Sequence, residues 1–230
     1  MSSVDTSTVA GRLAEIRAAI GRACEQSGRD PGDVTLIGVT KTFSVDSIAE
    51  AMAAGLRDFG ENRVQELLPK AEDATARGLQ PRWHFIGHLQ RNKVREVLPH
   101  IAALHSLDSI RLATTVNEER ERHTLAELPC YIEVNVGGET SKEGIAPSAL
   151  PALLDALGAM RQVSVVGLMT VAPQVNDPEQ VRPVFRSLRA LAHAHGLAGL
   201  SMGMSEDYTV AVEEGATAVR VGRALFGARS

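Results

Sequence analysis

The sequence repeats one pattern eight times: a short apolar run of strand character, then a segment whose apolar residues recur at helical spacing. The runs predicted as strands are residues 34–40, 58–60, 83–86, 103–107, 130–136, 163–169, 200–204 and 218–221. Because no two of these runs are joined by the short turn of a β-hairpin, we expect parallel strands with intervening helices. Such strands are buried on both faces, which explains their continuous apolar character.

An additional helix is predicted before the first strand, over residues 9–27, with Gly28 and Pro31 as its stop signals. If about 33 lead-in residues are set aside, each unit has roughly 25 residues, which suits an eightfold barrel of typically about 250 residues. The expected fold is therefore α/β: a single (β/α)8 TIM-type barrel domain over residues 1–230, with the N-terminal helix and lead-in over 1–33. The rival is a doubly wound open sheet, and eight nearly uniform units favour closure over it.

Composition excludes several classes of function. A formal charge of −4 without a long basic run argues against nucleic-acid binding, and 3% aromatic residues leave few stacking platforms for bases. No segment approaches the roughly 20 apolar residues that span a bilayer, and the N-terminus lacks a signal-peptide pattern. Cys24 and Cys130 lack metal-ligand spacing. We expect a cytoplasmic protein with free thiols and with neither nucleic-acid nor membrane partners.

Functional residues of such a barrel lie at the carboxyl ends of the strands. Lys41 follows the first predicted strand and would enter a mouth partly lined by apolar groups. Burial lowers the pKa of an amine, as a Schiff-base lysine requires. The alternative is a surface lysine that caps its strand, and position alone does not separate the two.

The loops after strands seven and eight are where barrels most often bind phosphate. Here they carry the segments SMGMS, with Ser201 and Ser205, and VRVG, with Arg220 and Gly222. Hydroxyl and backbone N–H groups there can bind a phosphate, although SMGMS can also be only a capping turn. His84 and His88 have no third ligand at metal spacing, so no metal site is expected.

Five segments together resemble a known family: residues 39–42 (VTKT), 59–66 (FGENRVQE), 83–93 (WHFIGHLQRNK), 201–205 (SMGMS) and 219–222 (VRVG). In this order they are similar to the pyridoxal phosphate homeostasis proteins, small single-domain relatives of the alanine racemase barrel. The resemblance extends from about residue 16 to residue 229.

The resemblance implies a barrel that holds pyridoxal 5′-phosphate as an imine on Lys41. The family's cofactor-binding positions fall on Lys41, Asn62, His84, Ser201, Ser205, Arg220 and Gly222. The resemblance places the phosphate at Ser201, Ser205 and the backbone around Gly222, and it places the pyridine nitrogen at Arg220. Enzymes that use the ring as an electron sink usually set an acidic group against that nitrogen. An arginine, which only donates, favours the unprotonated nitrogen and weakens the sink.

The expected function is therefore to hold pyridoxal phosphate and take part in vitamin B6 and amino-acid balance, with little or no catalysis. Apo-enzymes that need the cofactor are possible recipients, and a monomer is expected because the resemblance to alanine racemase ends with the barrel. Two alternatives stay open: an amino-acid racemase, and a barrel that binds another phosphate without an imine. Against the racemase, neither Tyr131 nor Tyr208 is a recognisable counterpart of that enzyme's tyrosine acid.

Overall fold

Eight parallel strands close into one barrel in the computed structural model, which describes residues 5–138 and 143–227. The strands are β1 (Thr35–Val39), β2 (Asp58–Glu61), β3 (Arg82–Phe85), β4 (Ile101–Leu107), β5 (Leu128–Glu133), β6 (Val163–Met169), β7 (Gly199–Ser201) and β8 (Ala218–Val221). Each strand pairs with the next in sequence, and β8 pairs back onto β1. The predicted barrel is confirmed, and the open doubly wound sheet is excluded.

Helices follow the strands and form the outer layer. They are α1 (Val9–Gln26), α2 (Val45–Ala53), α3 (Val64–Ala76), α4 (Val94–Val97), α5 (Ile110–Arg122), α6 (Leu150–Leu157), α7 (Arg182–Ala194), α8 (Tyr208–Glu213) and α9 (Arg223–Phe226). Apolar side chains on the outer faces of the strands and the inner faces of these helices form the hydrophobic core. In the described part of the chain, no helix is both long enough and apolar enough to cross a membrane.

The extra N-terminal helix α1 lies over the junction where the barrel closes. It packs against α2, α8 and α9, the helices that flank β8 and β1. Thr8 caps it by accepting a hydrogen bond from the Gly11 N–H, and Leu13, Ile16 and Ile20 are buried on its inner face. Arg12 donates to the carbonyl of Leu225 at 2.6 Å, which ties the two ends of the chain together.

Two predicted strands end three residues earlier in the structure, and the other six differ by at most two residues at either end. The seventh ends at Ser201 instead of residue 204, because Gly203 takes a left-handed φ of +91° and turns the chain out of the sheet. The fifth runs from Leu128 to Glu133 instead of residues 130–136. The apolar run continues through Val134 and Val136, but only an isolated bridge from Val134 to Ile145 follows the strand.

The interior of the barrel is unusually polar. Barrel interiors are mostly filled by branched apolar residues in layers. Here His105 on β4 contacts Ser201 on β7, and these strands are not neighbours, so the contact crosses the inside of the barrel. Both residues are fully buried. The interior therefore carries hydrogen bonds that connect to the site at the mouth.

Candidate functional site

A cavity of about 1030 Å³ opens at the carboxyl ends of the strands. Its volume matches the upper range of small-molecule sites. Five of the seven predicted site residues line this cavity: Lys41, Asn62, Ser205, Arg220 and Gly222. The other two, His84 and Ser201, lie deeper in the barrel.

The loop that carries Lys41 is held on both sides of the lysine. The Lys70 Nζ donates to the carbonyl oxygen of Thr40 at 2.7 Å, and the N–H of Thr42 donates to the Glu66 carboxylate at 2.7 Å. Thr42 has a left-handed φ of +70°, a conformation that β-branched residues rarely adopt. Backbone strain of this kind persists only where surrounding contacts fix it, so the position of Lys41 is strongly determined.

Beneath this loop, Glu61 at the end of β2 is fully buried. Its Oε1 accepts hydrogen bonds from the Thr40 hydroxyl and from Lys70, both at 2.6 Å, and its Oε2 is buried without a hydrogen-bond partner. Burial raises the pKa of Glu61, although the hydrogen bonds from Lys70 and Thr40 oppose the shift. Glu61 thus links the strand to the lysine loop.

Arg220 on β8 is a buried cation at the wall of the cavity. Its Nη1 donates to the Ser201 hydroxyl at 2.6 Å and its Nη2 donates to the carbonyl of Thr170 at 2.9 Å. Burial lowers its pKa to about 10, while Glu133 and Asp207 favour its charged form. The guanidinium is therefore charged at neutral pH and can only donate hydrogen bonds.

Glu133, at the end of β5, is a titratable group in the same cavity that the sequence did not indicate. Its pKa is raised to about 7, mainly by burial and also by Glu143 and Asp108, while Arg220 opposes the rise. Near neutral pH it is partly protonated, so it can accept or release a proton there. Its only sequence signal is its place at the carboxyl end of an apolar strand.

Ser205 and Gly222 form the predicted phosphate loop. The Ser205 Oγ accepts hydrogen bonds from the N–H groups of Gly222 at 3.2 Å and Ala224 at 3.3 Å. Because both bonds use the oxygen as acceptor, the hydroxyl proton is available to another acceptor. Asp207 braces the loop by accepting from the Met204 N–H at 2.6 Å.

Ser201 and His84 take part in a hydrogen-bonded chain inside the barrel. The Ser201 Oγ contacts the His105 Nδ1 at 2.8 Å, and the His105 Nε2 contacts the His84 Nδ1 at 2.9 Å. The Ser201 hydroxyl lies between His105 and Arg220, and its predicted phosphate contact stays a prediction. His84 lies one side chain further from the cavity, and its predicted place beside a cofactor likewise stays a prediction.

His105, which joins these two residues, was not predicted. The available signal was its polar side chain within the apolar run of β4. Strand alternation places such a residue on one face but does not show what it meets across the barrel.

The fold and the cavity place this protein among the (β/α)8 barrels that have a polar small-molecule site at the carboxyl ends of the strands. Comparison with known proteins agrees: residues 12–230 match the family model described as alanine racemase, N-terminal domain, and the chain belongs to that family. Within it, the chain belongs to the pyridoxal phosphate homeostasis proteins. It is 42% identical to the pyridoxal phosphate homeostasis protein of Aquifex aeolicus (strain VF5), over 95% of this chain and 97% of that one.

Solved structures give the same assignment. PipY of Synechococcus elongatus PCC7942 without PLP superimposes with a TM-score of 0.85 at 36% identity, and covers 96% of this chain and 100% of that chain. PipY with PLP bound gives a TM-score of 0.82 at 35% identity with the same coverage. Alanine racemase from Corynebacterium glutamicum is similar only in fold, with a TM-score of 0.67 at 16% identity over 96% of this chain and 60% of that one.

Proposed function

We propose that this protein binds pyridoxal 5′-phosphate covalently through Lys41 and takes part in the intracellular balance of that cofactor. The observation that carries the proposal is a single cavity that contains a lysine on a loop held by hydrogen bonds on both sides, a buried arginine and a serine–glycine loop. PipY, a relative over nearly the whole chain, is known with PLP bound, and the Aquifex relative is named for pyridoxal phosphate homeostasis.

The residues that line the cavity fit pyridoxal phosphate. When bound, pyridoxal phosphate supplies an aldehyde that condenses with a primary amine and releases water. Lys41 would provide the amine, Ser205 and the Gly222 backbone would hold the phosphate, and Arg220 would donate to the ring nitrogen. The Asn62 Oδ1 is buried at the cavity without a hydrogen-bond partner, which is the mark of a polar site that a ligand completes.

We propose that the protein holds the cofactor without catalysing amino-acid chemistry. A charged arginine at the ring nitrogen does not supply the proton that a strong electron sink needs. Of the two tyrosines, Tyr131 stacks on His105 inside the barrel with ring centroids 4.4 Å apart, and Tyr208 lies on α8. Neither lines the cavity, so neither is placed as an acid there. A monomeric state, a cytoplasmic location and transfer of the cofactor to apo-enzymes stay predictions from the sequence.

One observation favours the alternative of an amino-acid racemase: Glu133 lies in the cavity with a pKa of about 7. A general acid or base with such a pKa is suited to proton transfer at neutral pH, where it contributes typically about 10²–10⁴-fold. The test is solvent deuterium incorporation at the α-carbon of common amino acids. We expect none above the Lys41→Ala control, whereas repeated turnover that requires both Lys41 and Glu133 would establish the racemase.

Binding is tested by spectral titration of ligand-free protein with pyridoxal phosphate, followed by borohydride reduction and peptide mapping. The chain has four lysines, at positions 41, 70, 93 and 142, the last outside the described residues. We expect the reduced adduct on Lys41 and its loss in Lys41→Ala. Lys93→Ala is the matched control, because Lys93 pairs with Glu96 on the outer layer and should not change the yield.

Two results would contradict the proposal. An adduct of undiminished yield in Lys41→Ala would place the reactive amine elsewhere. Binding of phosphate compounds without any change in the visible spectrum would favour the barrel that holds another phosphate without covalent attachment. For the homeostasis role, holo-protein is expected to reactivate a pyridoxal-phosphate-dependent apo-enzyme, and the Lys41→Ala protein is expected to do so less.

A further inference from the structure

A continuous chain of hydrogen bonds runs through the barrel from the cavity to the opposite end. Arg220 Nη1 contacts Ser201 Oγ at 2.6 Å, and Ser201 Oγ contacts His105 Nδ1 at 2.8 Å. His105 Nε2 contacts His84 Nδ1 at 2.9 Å, and His84 Nε2 contacts Asp58 Oδ1 at 2.9 Å. We call these five residues the barrel relay. They come from five different strands.

With both histidines neutral, the two ends of the barrel relay determine the direction of every bond in it. Arg220 can only donate, so the Ser201 oxygen accepts from it and the hydroxyl proton goes to His105 Nδ1. A neutral His105 then carries its proton on Nε2 and donates it to His84 Nδ1. His84 likewise carries its proton on Nε2 and donates to Asp58, which as a carboxylate only accepts. With both histidines neutral, four protons fill four hydrogen bonds in one arrangement.

The surroundings support this arrangement. Burial lowers the pKa of His105 well below its ordinary value, and the charged Arg220 beyond Ser201 acts in the same direction, so His105 is neutral. Burial alone would raise the pKa of Asp58, but hydrogen bonds from His84 and Arg82 hold it below its ordinary value. Arg82 donates to both oxygens of Asp58, at 2.8 and 2.6 Å, and its own side chain is 63% exposed. The far end of the relay therefore carries a fixed negative charge.

Tyr131 limits the movement of the central histidine. Its ring stacks on His105 at 4.4 Å with an interplanar angle of 23°, while His84 meets His105 edge-on at 5.1 Å. A ring held on its face and at both nitrogens has little freedom to rotate. Arg220 is anchored at its other terminal nitrogen by the Thr170 carbonyl, so both terminal nitrogens are bound within the fold.

We propose that Asp58, His84, His105 and Ser201 are positioning residues that hold the Arg220 guanidinium in place as a donor toward the ring nitrogen of the cofactor. This inference rests on the proposed function, because it assigns the relay's purpose to pyridoxal phosphate binding. Asp58 acts on the ligand from the far end of the barrel, without touching it. A merely structural role would give the same packing but no selective effect on a ligand's ring nitrogen.

The existence of the relay is tested in ligand-free protein by nitrogen-15 NMR of labelled histidines near neutral pH. The signals of His84 and His105 are assigned by their loss in His84→Gln and His105→Gln. We expect His105 to be neutral, with its proton on Nε2. A charged His105, or a proton on its Nδ1, would overturn the proposed direction of the relay.

The positioning role is tested by comparing pyridoxal phosphate with its analogue in which a C–H group replaces the ring nitrogen. Asp58→Leu removes the acceptor at the far end, and Ser201→Ala removes the bond next to Arg220, so the second variant serves if the first does not fold. In each we expect pyridoxal phosphate to bind about tenfold more weakly, as for loss of a hydrogen bond with a charged partner, and the analogue to bind as before. Asp58→Asn keeps an acceptor oxygen, so it should bind pyridoxal phosphate more tightly than Asp58→Leu and nearly as tightly as the wild type.

Glu214→Gln is the matched control. Glu214 is also a buried carboxylate paired with arginines, but it lies in the outer layer with Arg182 and Arg186. It should lower the melting temperature without changing the ratio of the two affinities. Equal weakening of both ligands in Asp58→Leu and Ser201→Ala, or no weakening of either, would refute the positioning role. If wild-type protein binds neither compound, the proposed function fails together with that role, and the NMR result still decides whether the relay exists.

Discussion

Thr42 offers a direct test of whether backbone strain holds the lysine loop. Its φ of +70° is in the left-handed region, and Thr124, with a φ of +51°, is the other non-glycine residue with a positive φ in the described part of the chain. Both side chains are exposed. Thr42→Gly removes the clash between Cβ and backbone, and the hydrogen bond to Glu66 survives because it uses the backbone N–H.

Two opposing effects set the change in stability. A left-handed conformation costs an ordinary residue roughly 1–2 kcal/mol, which glycine does not pay. Glycine, however, has more backbone freedom in the unfolded chain, which lowers the free energy of unfolding by about 0.4–1 kcal/mol. The difference favours the glycine variant by up to about 1.5 kcal/mol, and each kcal/mol raises the melting temperature of a chain of this size by roughly 2–4 °C.

The same substitution should weaken covalent binding. Glycine leaves the residue after Lys41 free to leave the left-handed region, so ordering the loop around bound pyridoxal phosphate costs more conformational entropy. An extra cost of about 0.5–1 kcal/mol corresponds to a two- to fivefold rise in the apparent dissociation constant. Melting curves of ligand-free protein and spectral titrations with pyridoxal phosphate measure the two effects separately.

Thr124→Gly is the matched control, since Thr124 lies just after α5, outside the cavity lining. It should raise the melting temperature by a similar amount and leave binding unchanged. The reasoning is refuted if Thr42→Gly lowers the melting temperature while Thr124→Gly raises it. It is also refuted if Thr42→Gly binds pyridoxal phosphate as tightly as the wild type.

Three further outcomes are expected. Ser205→Ala should weaken pyridoxal phosphate at least about tenfold more than pyridoxal, because a lost hydrogen bond to a charged group costs roughly 1.5–3 kcal/mol; equal weakening in paired titrations would exclude Ser205 as a phosphate ligand. Glu133 has a raised pKa of about 7 in the folded state, so its stabilising contribution is complete below its unfolded value of 4.5 and is lost as pH rises through 7. Glu133→Gln should therefore match the wild type in urea unfolding near pH 4 and exceed it by up to about 3 kcal/mol at pH 8, and equal stabilities at pH 8 would contradict the shift. Burial raises the pKa of Cys130 to about 12 and also raises that of Cys24, so neither thiol should react with a disulfide reagent before urea unfolds the chain; rapid labelling of native protein would show that one is exposed.

The fold could be predicted from the sequence because each strand–helix unit has its own local pattern of apolar residues. Apolar runs bounded by Gly and polar residues show the strands, and amphipathic spacing shows the helices between them. Lys41, Asn62, Ser205, Arg220 and Gly222 follow or end these strands, and parallel strands in a closed barrel bring such positions to one mouth. The resemblance to a family supplied their proposed roles, which neither periodicity nor spacing contains.

The interior was decided by tertiary structure alone. Alternation along a strand places His84, His105 and Ser201 each on one face of its strand, but it does not show which side chain meets which across the barrel. That depends on the register of strands far apart in sequence, since His105 and Ser201 belong to strands on different sides of the barrel. The pKa of Glu133 likewise depends on burial and on charges brought near by folding. Sequence determined which residues reach the mouth of the barrel, because that order is local, while closure of the barrel determined which residues bond across it.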